Sequence, residues 1–358
     1  IPACNPPTPG GGGVCPGGGP TEPTVSHIDS GFTLSPGMNT FVLDQVTDPD
    51  NPVAYSTTGF NQNNYVQKWD MLAMAIEWEI TVLPLNAQWQ APGIDYSNGD
   101  LYIQESFGPT HAVVQLDPAD GSEIRRSANF SASQMRVSQG IKVTSDSIYG
   151  IFSSPTINIV WALNKSDLSL RWTTPTLGTS VGSANRIGGL AIDGDENPWV
   201  TVGDTTRVGL IAVNATTGAG TLHDLSASFT PTGLTHITYD PTNDALVIYA
   251  LGNARRWDFS DSTLHDLGFQ GLQAANDNQN IVDGTAWVNN SNRIEEYDIA
   301  TGALLQTVFK VDMVGTTVLN WFDLTMMTNL NCLFTTHQSI LGGTQGGADR
   351  ICLPCPEE

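Results

Sequence analysis

Six times along a chain of 358 residues, an apolar residue stands directly before Asp or Asn, with a turn and an extended stretch soon after. The copies are Trp69-Asp70, Leu116-Asp117, Leu163-Asn164, Val213-Asn214, Trp257-Asp258 and Tyr297-Asp298, at steps of 47, 47, 50, 44 and 40 residues. Self-similarity at a period of about 40–50 residues is the mark of an array of small structural units rather than one continuous core.

Each unit has the same parts in the same order. It opens on Gly followed by Ile or Leu, as in Gly93-Ile94, Gly140-Ile141, Gly189-Leu190, Gly233-Leu234 and Gly271-Leu272. A short aromatic or β-branched run follows, such as Leu101-Tyr-Ile103, Pro198-Trp-Val200 or Ala286-Trp-Val288. The apolar-Asp segment comes next, then a turn such as Pro118-Ala-Asp-Gly121 or Ala300-Thr-Gly302, then a fourth extended run. Alternation over four to eight residues bounded by Gly, Pro, Asn and Asp signals strands and hairpins. Asp or Asn at a turn entrance accepts hydrogen bonds from backbone N–H groups two residues on, which explains its recurrence there. Residues 68–82 are the stretch closest to helical composition, but Ile76-Glu-Trp-Glu-Ile80 alternates strictly and is expected to be a strand.

Seven units are counted, at about 36–84, 88–131, 136–178, 185–228, 232–269, 271–312 and 317–357. Four strands per unit predict an all-β, seven-bladed β-propeller of four-stranded antiparallel sheets, closed by its terminal segments over 28–358. Residues 28–35 are expected to lend the outermost strand of the last unit, which would bring the two ends of the chain together. Residues 1–27 form a Pro/Gly-rich N-terminal arm carrying Cys4 and Cys15. Such a segment buries too little apolar surface to offset its ordering entropy alone, so it is expected to be a linker or to order against a partner.

Acidic residues outnumber basic ones 36 to 14, a formal charge of −22. That surface repels phosphate backbones and anionic lipid, which argues against nucleic-acid binding and against electrostatic attachment to membranes. No apolar run is long enough to cross a bilayer as a helix, so no membrane insertion is expected. The five cysteines cluster at the ends: Cys4, Cys15, Cys332, Cys352 and Cys355. In an oxidising compartment Cys4, Cys15, Cys352 and Cys355 would form two bridges stapling the termini, leaving Cys332 as a buried strand thiol. The same four residues form the alternative, a zinc or iron–sulfur thiolate site.

Gly189-Leu-Ala-Ile-Asp-Gly-Asp-Glu-Asn-Pro-Trp-Val-Thr-Val, running on to Leu210-Ile-Ala-Val-Asn-Ala-Thr-Thr-Gly218, resembles a blade of the streptogramin-lyase-like repeat propellers. Tyr297-Asp-Ile-Ala-Thr-Gly-Ala-Leu-Leu and Leu116-Asp-Pro-Ala-Asp-Gly-Ser-Glu-Ile resemble the turn of quinoprotein-type blades. The resemblance spans most of 36–310 as architecture and is unspecific for activity, because propellers serve as enzymes, receptor binders and scaffolds. It implies a His and Glu set at a central mouth for a lyase, and no such set can be matched residue by residue. Quinone-cofactor motifs are absent.

The six histidines are His27, His111, His223, His236, His265 and His337, and no pair has metal-ligand spacing. His236 falls in the innermost strand of its unit. Thr221-Leu-His-Asp-Leu225 and Thr263-Leu-His-Asp-Leu267 match in phase with the repeat and are expected to be structural. Asp193, Asp195 and Asn197 place oxygens at alternate positions as a calcium loop does, but Pro198 and Asp204 stand where such a loop needs Gly and Glu, so a polar turn is the first expectation. Sequons occur at Asn129, Asn164, Asn214 and Asn289. Nucleophile motifs and phosphate loops are missing. What remains is a loop face offering aromatic and polar contacts: Phe60, Trp89, Phe107, His111, Arg186 and His337.

The expected function is therefore a non-enzymatic extracellular or particle-surface binding or structural protein, a virion or filament component being its specific form. Its loops would meet a protein or carbohydrate surface, and residues 1–27 would serve docking or self-assembly. No cofactor is expected. The alternative is a secreted propeller enzyme of the lyase type with a metal-assisted central site.

Overall fold

The structure, a computed structural model, describes residues 24–32, 40–44, 47–48, 51–60, 63–82, 93–107, 110–131, 141–153, 158–177, 186–203, 208–228, 236–250, 253–269, 281–290, 293–309, 319–327, 331–339 and 346–353. Twenty-nine strands are formed among them, and every pairing is antiparallel. The first is β1 (Thr24–Phe32). Sheet I holds β2 (Thr40–Asp44), β3 (Val53–Phe60), β4 (Asn63–Asp70) and β5 (Ala75–Val82) in sequence order. Sheet II holds β6 (Gly93–Ser97), β7 (Asp100–Phe107), β8 (Thr110–Leu116), β9 (Glu123–Arg126) and β10 (Phe130–Ser131).

Sheet III runs β11 (Ile141–Val143), β12 (Ser147–Ser153), β13 (Asn158–Asn164), β14 (Leu170–Thr173). Sheet IV runs β15 (Arg186–Ile192), β16 (Pro198–Gly203), β17 (Val208–Val213), β18 (Gly220–Asp224). Sheet V runs β19 (His236–Asp240), β20 (Ala245–Ala250), β21 (Asn253–Asp258), β22 (Thr263–Asp266). Sheet VI runs β23 (Ile281–Val282), β24 (Thr285–Asn290), β25 (Arg293–Asp298), β26 (Leu304–Phe309). Sheet VII takes β27 (Leu319–Met327), β28 (Cys332–Ser339) and β29 (Gly346–Cys352), with β1 at its edge.

Two expectations are corrected. Seven four-stranded blades were expected; six sheets have four strands and sheet II has five. The register gives the reason. Both β9 and β10 pair with the same strand, Arg126 opposite Val114 and Phe130 opposite His111, so they lie end to end along one edge. Ser127 occupies the break, donating its N–H to the Val113 carbonyl and accepting the Val113 N–H on its hydroxyl. The second correction is the boundary of the arm. Pairing begins at Thr24 opposite Cys352, and a register shift between Asp29 and Phe32 ends it at Gly346, so residues 24–27 belong to sheet VII.

Burial falls from the centre outward. β17 is buried at five of six positions, whereas β18, beside it, is exposed at four of five. Middle strands are covered on both faces because each sheet is sandwiched between two others, which explains runs such as Val208-Gly-Leu-Ile-Ala-Val213 that do not alternate. One apolar cluster fills each junction. Val42, Tyr55 and Val66 of sheet I meet Ile94, Leu101 and Val114 of sheet II. Similar clusters join II to III, III to IV, IV to V, V to VI and VI to VII. Ala54, Trp69 and Met71 meet Cys332 and Phe334, joining VII back to I. Each fully buried Leu, Ile, Val or Phe in these layers contributes about 1.5–3 kcal/mol relative to exposure.

The apolar-Asp position does what its chemistry suggests. Asp70 Oδ1 accepts the N–H groups of Leu72 and Ala73, and Asn214 Oδ1 accepts those of Thr216 and Thr217. The turns so formed have a second role. Five of the six are gripped by a side chain of the preceding sheet, which donates to backbone carbonyls of the turn. Trp78 donates its indole N–H to the Pro118 carbonyl at 3.1 Å, and Trp172 to that of Ala215 at 2.9 Å. Arg125 donates to the carbonyls of Lys165 and Ser166, and Arg256 to those of Ile299 and Ala300. Arg350 donates to the Met71 and Leu72 carbonyls at 2.7 and 2.8 Å.

These donors share one place in the repeat. Trp78 lies opposite Lys68, Arg125 opposite Gln115 and Trp172 opposite Ala162. Arg256 lies opposite His265, and Arg350 opposite Ser26. In the first three pairs the outermost strand supplies the donor, and in the last two the strand inside it does. At the IV–V junction the pair is Ala212 and Thr221, and rings take over: Trp199 and His223 lie against Phe259 and Trp257, with centroids 5.2 and 5.0 Å apart.

Candidate functional site

The antiparallel order gives each sheet two ends. One carries the turns between first and second strands and between third and fourth. The other carries the connections between second and third strands and between sheets. The first end is chemically occupied. Its Asp and Asn side chains cap their own turns, and its carbonyls receive the clamps described above. Asp193 belongs to this end: Oδ1 accepts the N–H groups of Asp195 and Asn197 at 3.0 and 2.8 Å, and Oδ2 accepts the Trp199 indole N–H at 2.8 Å. Asp193 thus closes a polar turn, with both of its carboxylate oxygens accepting from protein donors.

The second end gathers the sequence-derived recognition residues. Phe60 is the last residue of β3, and Phe107 is the last of β7. His111 is the second of β8, Arg186 is the first of β15, and His337 lies two residues before the end of β28. Backbone topology therefore brings five of the six to one end of the sheets. Trp89 lies outside the described residues. His236 is the first residue of β19, and β15 and β19 pack together, so Arg186 and His236 hold equivalent positions on neighbouring innermost strands at this same end. Burial pushes His236 down to about 4, so its imidazole is neutral at physiological pH.

The cysteine expectation needs correction. Cys332 is bonded to Cys352, which stands directly opposite it on the neighbouring strand. Cys332 is therefore not a free thiol, and Cys352 is not available to a bridge with Cys4 or Cys15 or to a zinc or iron–sulfur site. Sequence reading assigned the pairing by position along the chain, whereas strand register sets it. Cys4, Cys15 and Cys355 lie outside the described residues.

From sequence His265 was expected to be structural and Asp258 to be the repeat Asp, and Asp261 was not singled out. Asp258, Asp261 and His265 bring one ligand atom each within 4.8 Å of one another on the β21–β22 hairpin. The signal was the spacing between the turn and the Thr-Leu-His-Asp-Leu run, which differs between sheets IV and V.

Comparison with known proteins bears on the architecture alone. No protein-family model matches the sequence, and no curated protein matches it. Among solved structures, "Crystal Structure of Mitotic Checkpoint Complex" superposes with a TM-score of 0.62 at 12% identity, covering 95% of this chain and 94% of that one. "Structure of U3-55K" gives 0.60 at 14% identity, covering 94% and 100%. "Structure of Dos1 propeller" gives 0.54 at 12% identity, covering 86% and 77%. The chain is a β-propeller. At this level of identity the likeness shows the fold and nothing of the activity. Four-stranded antiparallel sheets are the blades of such a fold, and the second end, with Phe60, Phe107, His111, Arg186 and His337, is its loop face.

Proposed function

We infer that this propeller is a non-enzymatic recognition and assembly protein, acting outside the cell or on the surface of a particle such as a virion or filament. One observation supports the reading: Phe60, Phe107, His111, Arg186 and His337 all fall at strand ends on the loop face, while repeat Asp and Asn side chains of the opposite face such as Asp70 and Asn214 cap their own turns. A recognition face needs adaptable side chains presented by a rigid scaffold, and that division of labour provides both. The partner in this reading is a protein or carbohydrate surface. The Cys332–Cys352 bond supports an oxidising compartment. The finer architecture belongs to the same proposal: seven blades in one ring, with sheet II counted as a blade whose edge strand is broken at Ser127.

Residues 1–23 precede an edge strand, which suits an arm that reaches another subunit or particle. The test compares the full chain with a chain beginning at Thr24, by sedimentation and electron microscopy, and screens both on a glycan array. Assemblies or particle attachment lost on removal of 1–23, with glycan or protein binding retained and weakened by Phe60→Ala plus Phe107→Ala, is the expected result. A monomer indifferent to the truncation, showing metal-dependent lyase turnover abolished by His236→Ala, overturns it in favour of the enzyme.

A further inference from the structure

We propose that Asp258, Asp261 and His265 form a surface site for a zinc-class divalent ion on the β21–β22 hairpin of sheet V. Asp258 ends β21, Asp261 lies in the turn and His265 is the third residue of β22, so one short hairpin positions all three. His265 Nε2 lies 3.9 Å from Asp258 Oδ2 and 3.7 Å from Asp261 Oδ2. A tetrahedral zinc holds imidazole nitrogen and carboxylate oxygen at ~2.0–2.2 Å, which sets ligand atoms roughly 3.3–3.6 Å apart, so each carboxylate has only a few tenths of an ångström to close on the imidazole. Water would complete the tetrahedron on the exposed side.

The same protein contains its own contrast. His223 occupies the matching pentapeptide of sheet IV, where Thr221 follows Asn214 by seven residues; Thr263 follows Asp258 by five. The longer turn carries His223 past the carboxylate position and onto the Trp199 and Trp257 rings, with centroids 5.9 and 5.0 Å away. The shorter turn leaves His265 beside Asp258 and Asp261. His265 is also relieved of the clamp, because Arg256 opposite it grips the Ile299 and Ala300 carbonyls.

The ligands are pre-oriented. The Thr263 N–H and hydroxyl both donate to Asp261 Oδ1, at 2.9 and 2.6 Å, turning Oδ2 toward His265. Arg256 donates to Asp258 Oδ2 at 3.1 Å, fixing that carboxylate as an outer-shell partner and lowering affinity by its charge. The Thr263 hydroxyl lies 2.8 Å from His265 Nε2, so a bound ion displaces that contact and moves the ring proton to Nδ1. A nitrogen donor with only two carboxylates selects zinc-class ions over calcium, which takes six to eight oxygens.

The test titrates Zn²⁺, and separately Ca²⁺, into the full chain after chelation and capping of free thiols with iodoacetamide, so that terminal cysteines cannot contribute. One Zn²⁺ per chain is expected, with affinity weakened at least about tenfold by Asp261→Asn or His265→Gln and unchanged by His223→Gln. Should either variant fold poorly, the wild-type chain still decides: Co²⁺ should give a d–d spectrum without thiolate bands and shift the His265 ring ¹⁵N signals. Stoichiometry indifferent to both substitutions, or His265 signals unmoved by saturating ion, overturns the proposal.

Discussion

Arg350, in the last blade, donates two hydrogen bonds through one guanidinium nitrogen to the carbonyls of Met71 and Leu72 in the first, across a sequence separation of 279 residues. The side chain is 6% exposed, so burial lowers its pKa and makes its two acceptors matter. The same grip recurs between neighbouring blades, yet only this one joins the two ends of the array. Replacing Arg350 by Met removes both bonds and strands two carbonyls. A loss of about 3 kcal/mol is expected, read from denaturant midpoints, and Arg350→Lys should recover only part of it because the ammonium sits on a shorter stem and is more strongly hydrated than a guanidinium.

Glycines at the turns separate strain from contact. Gly302 has φ of +75°, and an added Cβ would collide with the Leu267 carbonyl of the preceding blade. Gly218 has φ of +71°, with Trp172 2.8 Å from the added carbon, whereas Gly99 at φ +86° faces open space. Thermal melts of the three Gly→Ala variants should therefore rank Gly302 as most damaging, then Gly218, then Gly99. Gly99→Ala should cost about 1 kcal/mol from left-handed backbone alone.

The disulfide closes a separation of 20 residues. Chain-entropy reasoning assigns a loop of that size about 3 kcal/mol. Cys332→Ala plus Cys352→Ala should lower stability by that order, and mild reductant should lower the wild-type melting temperature while leaving the double variant unmoved.

His236 gives the protein an acid-side weakness. Burial holds its folded pKa at about 4, below the ~6.5 of a free imidazole, so the neutral form is the one folding favours. The associated stability is present above about pH 6.5 and is lost as pH falls toward 4, at most about 3 kcal/mol. Urea melts at pH 7.5 and pH 4.5 should show this loss, and His236→Gln should remove its share. An equal pH response in the variant would assign the effect elsewhere.

The array was legible because the Asx turn is a local device: Asp70, Asn214 and Asp298 cap their own turns, so each unit must carry the residue at a fixed place. The clamps escaped notice for the opposite reason. Their donor moves between adjacent strands, Trp172 in one blade and Arg256 in another, so no single column of the repeat is uniform. Cys332 and Cys352 pair through register, which spacing along the chain does not encode. The split edge of sheet II hangs on Ser127, one of many serines, and nothing near it in sequence announces a break. Phe60, Phe107, His111, Arg186 and His337 could be assigned to one end because strand ends follow from topology, whereas the His265 group needed the hairpin length of its own sheet.

β1 completes a sheet whose other three strands are the last in the chain. During synthesis, therefore, Thr24 waits without its partner until Cys352 has been made. A circular permutant with the old termini joined and new ones cut in the Asn98-Gly99 turn would free it from that wait, and should reach its native state sooner after release.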